Sequence, residues 1–400
     1  MSKKNKSVDV GLAYMKELGF HPESSRSVAF DKLRSVADKS MANSLIDIID
    51  DVSDAKGNYS RSDLYAAKNA TLDLSLMLSS THRADIYRKA CNWVVNHKEL
   101  FGSCILDLGC DCGIMTCFLA QQFPESHIIG IDITPAAVEN AKQLAIRLNV
   151  NNVEFLCIDA FSFNKPVDTV FSMLVMHELC DDVDTDCRDK TFTDIAKYWT
   201  SGFDKVVSYI SEILSVGGHV ISIDTDNDAL SFYNPGLLAF IYSLHHHGLC
   251  LTSFDIVSVK ELGFEHDIQC LVAKRDNLSN VQNFTDELIF DKYVNTVVCK
   301  ICDLTGPEYF EFGAKLLRDV CCGELLRGFY IREKSGNYCE YSIWRDKYVS
   351  QSFIFFRTED VEKFTRLKSA DLPNTYKYID SIYKRKSSDP GCIIDWAKMD

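Results

Sequence analysis

Ile105-Leu106-Asp107-Leu108-Gly109-Cys110-Asp111-Cys112-Gly113 is the stretch that decides the fold of this 400-residue chain. An apolar run meets an acid and then a glycine-spaced turn, and the residues after Gly113 return to helical periodicity. Glycines at such a turn let the backbone bend sharply and approach a ligand, while the following helix offers its free N–H groups. A dinucleotide fingerprint needs G-x-G-x-x-G with no acid directly before it. Here Asp107 stands two residues before Gly109, where a carboxylate repels a pyrophosphate and suits a positively charged amino group. The ligand expected is therefore a cationic, phosphate-free nucleoside.

Outward from this turn, short apolar runs alternate with helical stretches, which is the texture of βαβ units. Strands are predicted at Ile105–Leu108, Ile128–Ile131, Val153–Cys157, Asp168–Leu174, His219–Ile223, Phe264–Asp267 and Cys270–Lys274, the last two as an antiparallel edge hairpin. The fold class is α/β, a doubly wound, mostly parallel seven-stranded sheet. Acids end the second and third strands. Asp132 lies 19 residues after Gly113, where a carboxylate accepts ribose hydroxyls, and Asp159 is placed to accept from an adenine amino group. The three acids converge on one crevice at the carboxyl edge of the sheet.

At these residues the sequence resembles the class I S-adenosylmethionine-dependent methyltransferases, over about residues 101–275 and not the flanks. ILDLGCDCG matches the family's first motif, GIDIT its ribose-binding acid and CIDAF its adenine-binding acid. VDTVFSMLVMHEL matches its fourth strand and LSVGGHVISID its Gly-Gly turn into the fifth. The resemblance implies S-adenosyl-L-methionine as cofactor. It implies Asp107 and Gly109 at the methionyl end, with Asp111 and Gly113 completing the loop. Asp132 with Ile133 would lie on the ribose, Asp159 with Ala160 on the adenine, and Met173 at the end of strand four beside the cofactor. One departure stands out: the family's second glycine is Asp111, which either turns to solvent or crowds the cofactor. Asp tolerates a left-handed backbone better than most residues, so the turn itself survives.

Methyl transfer from a sulfonium is an in-line displacement, so the chain has to position the nucleophile, keep it unprotonated and exclude water. His177 and Glu178, after strand four, are the candidate catalytic residues, because imidazole titrates near neutral pH; the alternative for His177 is a strand-end cap. The acids Asp181–Asp186 and Asp224–Asp228 either ring the substrate mouth and attract a cation or form solvated loops. An Asn/Asp-Pro-Pro-Tyr/Phe tetrapeptide is missing after strand four, which weighs against nucleobase amines and glutamine amides as acceptors. Met173 stands where a magnesium site needs a carboxylate, and the Cys299, Cys302, Cys321 and Cys322 set reads as buried small apolar residues rather than zinc ligands, so no metal is expected. The run His245-His246-His247 reads as a wet helix end. Residues 180–203 and 225–252 exceed a minimal connection and are expected to cover the site.

Three segments are expected: a helical N-terminal region over 1–100, the cofactor-binding domain over 101–275, and an α+β accessory domain over 276–400. In the first, helical periodicity covers Val8–Leu18, Leu33–Ile49, Leu64–Leu78 and Ala84–Val95, with no catalytic spacing. Its roles would be packing, a homodimer face, or one wall of a substrate pocket. The last opens with helical patches at Thr285–Leu304 and Glu308–Cys322, continues as a meander over 325–357 and closes in a helix-rich tail. Of the net charge of −14, residues 101–275 carry nearly all, with 10 Lys/Arg against 24 Asp/Glu. An acidic core repels phosphate backbones, so nucleic acid is disfavoured. Sixteen cysteines, several inside apolar runs, read as a reduced, cytoplasmic chain, and neither a secretion signal nor a membrane span is expected. The expected function is methyl transfer to a small molecule, with a cationic amine the sharper option. Protein side chains, tRNA (through the aromatic and cationic meander) and non-catalytic cofactor binding are the alternatives.

Overall fold

Cys104–Leu108, the apolar half of the opening motif, forms β1, and its side chains are almost entirely buried because helices cover both faces of a parallel sheet. The computed structural model describes residues 9–20, 26–36, 38–53, 57–180, 192–225, 235–261, 264–276, 289, 309–310, 322–346, 352–358, 361–367, 371–387 and 390–395. Five helices precede β1: α1 (Val10–Glu17), α2 (Arg26–Val36), α3 (Lys39–Ser53), α4 (Arg61–Lys68) and α5 (Leu72–Asn96). Then α6 (Ile114–Gln122), β2 (His127–Asp132), α7 (Pro135–Arg147), β3 (Val153–Cys157), β4 (Val167–Met173) and α8 (Met176–Leu179) alternate along the chain. Next come α9 (Phe192–Trp199), α10 (Ser201–Ile213), β5 (Leu214–Thr225) and α11 (Pro235–His246). A hairpin of β6 (Leu249–Glu261) and β7 (Phe264–Arg275) completes this part.

The sheet order is β3-β2-β1-β4-β5-β7-β6, parallel except at β7, which runs antiparallel to both β5 and β6. The strand order reverses at β1 and β4, and such a switch point opens a crevice at the carboxyl edge. The edge hairpin exists, but its strands differ from those expected. Phe264–Asp267 and Cys270–Lys274 are one strand, and its partner is 249–261, of which only 249–252 falls within an expected covering insert and the rest is assigned no element from sequence. The polar residues His266, Asp267 and Gln269 interrupt β7's apolar pattern, while Thr252, Ser253, Asp255 and Ser258 hide β6.

Residues 1–181, 203–228 and 243–283 form one compact unit, so the N-terminal helices pack with the sheet. Tyr14, Leu76, Ile86, Ala90 and Cys91 share one buried cluster with Phe118, Ile128, Phe171 and Ile223. Asp9 caps α1 and pairs with Arg88 of α5 at 2.6 Å, so its carboxyl is held at about 2, chiefly by that guanidinium. One break differs from the sequence reading, since α4 ends at Lys68 inside the expected 64–78 helix; α5 kinks at Arg83 (φ −132°, ψ 16°), in the gap expected between residues 78 and 84.

The second unit comprises residues 182–202, 229–242 and 284–400. Its sheet contains β8 (Tyr309–Phe310), β9 (Cys322–Glu333), β10 (Tyr338–Asp346), β11 (Ser352–Arg357), β12 (Glu362–Leu367) and β13 (Pro390–Asp395), in the order β13-β9-β10-β11-β12-β8. One helix, α12 (Leu372–Lys386), packs Ile379 and Ile382 onto Phe329, Ile331 and Ile343. The meander is present. The tail, expected to be helix-rich, also supplies β12 and β13, and Tyr309–Phe310 is strand inside a patch read as helical. Residues 291–304 lie outside the described residues. Phe353 and Phe355 are buried, with Phe353 stacked on Phe364 at 4.6 Å between ring centres, so these aromatics serve packing.

Candidate functional site

Asp107 sits near the end of β1, 2% exposed, and accepts a hydrogen bond from Thr116 Oγ1 of α6 at 2.5 Å. Burial raises its carboxyl to about 7, because an ionised carboxylate loses hydration there faster than one hydroxyl restores it. The chain then turns through Gly109 (φ 76°), Asp111 (φ 46°) and Gly113 (φ 81°). The turn is tied to the end of β2: Gly109 N and Cys110 N both donate to Ile131 O, at 3.0 and 2.9 Å, and Asp111 N donates to Asp132 Oδ2 at 3.0 Å. Asp132 Oδ1 accepts from Thr134 N at 2.8 Å, and burial raises this carboxyl too. Asp159 caps the turn after β3 by accepting from Phe161 N at 2.9 Å.

A cavity of about 740 Å³ opens where these acids meet. Asp107, Gly109, Asp111, Asp132, Ile133, Asp159, Ala160, Met173 and Glu178 all line it, so nine of the residues picked from sequence come together. Ile133 stands 68% exposed at its edge, an apolar side chain free to cover a flat ring. Gly113 and His177 are not among the lining residues. A Cβ at Gly113 would lie 2.8 Å from Ala141 Cβ, so this glycine serves the packing of α7 on the sheet. His177 places Nδ1 3.3 Å from Asp224 Oδ1, and Asp224 Oδ2 accepts from Ser222 Oγ at 2.8 Å.

The expectation that Asp111 turns to solvent is overturned. Its carboxylate faces the N-terminal helices, where Lys68 Nζ donates to Oδ2 and Asn69 Nδ2 donates to Oδ1 at 2.9 Å. Burial alone would lower the Lys68 ammonium and raise the Asp111 carboxyl, but each opposite charge prevails, holding the ammonium above and the carboxyl below its ordinary value. Asn69 is itself fixed: Ser75 Oγ donates to its Oδ1 at 2.9 Å, and Asn140 Nδ2 donates to its carbonyl at 2.9 Å. The second tie is at Glu178, whose Oε1 accepts from Tyr65 OH at 2.5 Å and lies 3.4 Å from Arg61 Nη1. Burial and the neighbouring carboxylate push the Tyr65 phenol well up.

Thus α3, α4 and α5 form one wall of the cavity through Ile49, Leu64, Tyr65, Lys68, Ser79, Arg83 and Tyr87. Sequence reading named a pocket wall among three roles for this region but none of these residues, because no spacing marks them. The one usable signal was an acid in a glycine position, which demands a counter-charge somewhere. The acids 181–186 and 226–228 lie outside the described residues, as do Cys299, Cys302 and Cys321. The histidine run is not uniformly wet: His245 is 9% exposed, and His247 Nε2 lies 3.4 Å from Asp204.

Residues 102–231 match the family described as "Methyltransferase domain". The chain thus carries a class I S-adenosylmethionine-dependent methyltransferase domain, and S-adenosylmethionine is the cofactor of that class. Similar curated proteins include malonyl-[acyl-carrier protein] O-methyltransferase of Acetivibrio thermocellus, 34% identical over 94 residues, which are 22% of this chain and 32% of that protein. A tRNA (guanine-N(7)-)-methyltransferase of Rubrobacter xylanophilus is 36% identical over 68 residues, 16% of this chain and 30% of that one. The chain therefore spans about a third of the length of the curated relatives it matches. Among solved structures, N-methyltransferase NodS of Bradyrhizobium japonicum in complex with S-adenosyl-L-homocysteine is 14% identical, covering 54% of this chain and 98% of that chain at a TM-score of 0.39.

The site's own chemistry fits this cofactor. A buried carboxyl held near 7 has most to gain from an ammonium partner, and Asp132 and Asp159 keep acceptor capacity toward the cavity.

Proposed function

We propose that the chain is an S-adenosylmethionine-dependent methyltransferase acting on a small molecule, in a cytoplasmic setting. When bound, the cofactor supplies an electrophilic methyl group on a sulfonium. In this reading Asp107 holds the methionyl ammonium, Asp132 the ribose hydroxyls with Ile133 against the sugar and base, and Asp159 with the Ala160 backbone the adenine edge. Met173 packs at the end of β4 beside the reacting end, and Gly109 keeps the loop close.

The observation that carries the substrate class is the wall of N-terminal helices at the carboxyl edge. A cavity of about 740 Å³ falls within the roughly 300–1,000 Å³ of small-molecule sites. The carboxylate of Glu178 faces this space and is oriented by Tyr65, so it is the group assigned to position the acceptor or take its proton. His177, bonded toward Asp224, supports the turn that carries Glu178.

The test is to incubate cell-extract fractions with the full chain and methyl-labelled cofactor. Label is expected in the low-molecular-weight fraction, resistant to nuclease and protease. Loss of label on nuclease treatment would transfer the assignment to RNA, and loss on protease treatment to protein.

A further inference from the structure

We propose that the substrate carries a carboxylate and that Arg83 binds it, an inference that rests on the methyltransferase reading and names the substrate class of that same cavity. Charge is the starting point. Of the ionisable groups lining the cavity, Asp107, Asp132 and Asp159 face the cofactor's place, Asp111 is engaged by Lys68 and Asn69, and Glu178 by Tyr65 and Arg61. Arg83 is left. It lines the cavity and makes no hydrogen bond or ion pair among the described residues. Its positive charge is felt by Asp111, already engaged, and by the phenols of Tyr65 and Tyr87.

A second observation falls on the same stretch of chain. Ser79, Arg83 and Tyr87, spanning the kink of α5 at Arg83, all line the cavity. Ser79 is 4% exposed, and its Oγ has no hydrogen-bond partner among the described residues. A buried hydroxyl left in that state is destabilising, and a ligand oxygen at the same place would restore its hydrogen bond. A guanidinium fork and a hydroxyl on one wall suit a planar, two-oxygen acceptor. Ile49, Leu64 and Leu78 line the same cavity, so an apolar body behind that acceptor has partners there.

With Lys68 engaged by Asp111 and Glu178 by Tyr65 and Arg61, an amine entering this space would meet Arg83 as well as the sulfonium of the cofactor. A carboxylate would meet the same charges favourably. Of the acidic rim from which a cationic substrate is expected, Asp224 is buried against His177 and Ser222 and the other acids lie outside the described residues, whereas the wall that is described favours an anion.

The experiment uses the full chain loaded with S-adenosylhomocysteine and three probes with one apolar body: 3-phenylpropionate, 3-phenylpropylamine and 3-phenylpropionamide. Calorimetry should find the acid bound roughly tenfold or more tighter than the other two. Arg83→Gln should lose roughly 10- to 100-fold in acid affinity, the range for a hydrogen bond to a charged group. Arg83→Lys, which keeps the charge and loses the fork, should fall between. Both variants should bind S-adenosylhomocysteine like the parent, which separates loss of the anion site from misfolding. Equal binding of amine or amide, no measurable binding of the acid, or unchanged acid affinity in Arg83→Gln would overturn the proposal. Failure of the parent chain to bind S-adenosylhomocysteine is a different result, seen in the first titration, and removes the methyltransferase reading itself and this inference with it.

Discussion

Replacing Asp111 by Asn keeps the shape of the side chain and its tolerance of a left-handed backbone, and removes only the charge that faces Lys68. Lys68→Met removes the other charge at nearly constant volume. The two side chains are 20% and 25% exposed, so each single change strands a charge that is mostly, not wholly, out of water. Breaking a fully buried pair costs about 3–5 kcal/mol; discounted for this exposure, each single variant should lose about 2–3 kcal/mol. The double variant strands nothing and should lose less than the sum of the singles, a coupling of roughly 1–3 kcal/mol. At about 2–4 °C per kcal/mol for a unit of this size, each single change lowers the midpoint by roughly 5–10 °C. The chain has two compact units, so a single all-or-none transition is not assumed. The assay is therefore thermal denaturation of the full chain, reading the transition that S-adenosylhomocysteine shifts upward. Additivity of the two singles within about 0.5 kcal/mol would mean that Lys68 and Asp111 do not meet in solution, and the tie between the helical wall and the cofactor loop would be lost with them.

Three further outcomes are expected. Asp107, raised to about 7 when no cation is beside it, must lose its proton to hold an ammonium. Affinity for S-adenosylhomocysteine should therefore fall about tenfold per pH unit as pH drops from about 7 to about 5, and Asp107→Asn should bind weakly with no such slope; a parent profile flat over that window refutes the role. In the free chain the same group takes up a proton on folding in that window, so its contribution to stability declines as pH rises from about 4 to about 7. Gly113→Ala puts a methyl 2.8 Å from Ala141 Cβ at a backbone φ of 81° and should cost about 2–3 kcal/mol by urea denaturation, with wild-type stability excluding the packing role. Glu178→Gln should reduce label transfer much more than His177→Ala, which should mainly lower the melting temperature; the reverse order would return the base to His177.

Legibility in the sequence followed the range of the forces involved. The five parallel strands could be read because each is a short apolar run, ended in four of them by a glycine or an acid, and the acids Asp107, Asp132 and Asp159 are fixed by strand ends alone. The edge strand β6 was not legible: Thr252, Ser253, Asp255 and Ser258 give it the texture of a loop, and its pairing with β7 decides its conformation. β12 and β13 are short and are held by β11 and β9 respectively. The counter-charge to Asp111 lies 43 residues upstream on a helix with no motif. Arg83 is equally silent in sequence, because what marks it is a cavity on one side and the absence of a hydrogen bond or ion pair among the described residues.

The uneven charge of the chain has a physical consequence at this cleft. Asp107, Asp111, Asp132, Asp159 and Glu178 all line one cavity, and five carboxylates there would repel one another and raise each other's protonation. Two of them are relieved from outside residues 101–275: Asp111 by Lys68 and Asn69, Glu178 by Arg61 and the Tyr65 hydroxyl. The remaining three are those assigned to a cationic cofactor. The near-neutral N-terminal region therefore does more than shield the sheet, since its cations settle which acids stay open for a ligand. Swapping Asp111 for the glycine usual in that position would free Lys68 toward the cavity, adding a second unpaired cation beside Arg83. Such a variant should bind an anionic probe more tightly and the positively charged cofactor more weakly than the parent, a pair of opposite shifts that relief of backbone strain alone would not produce.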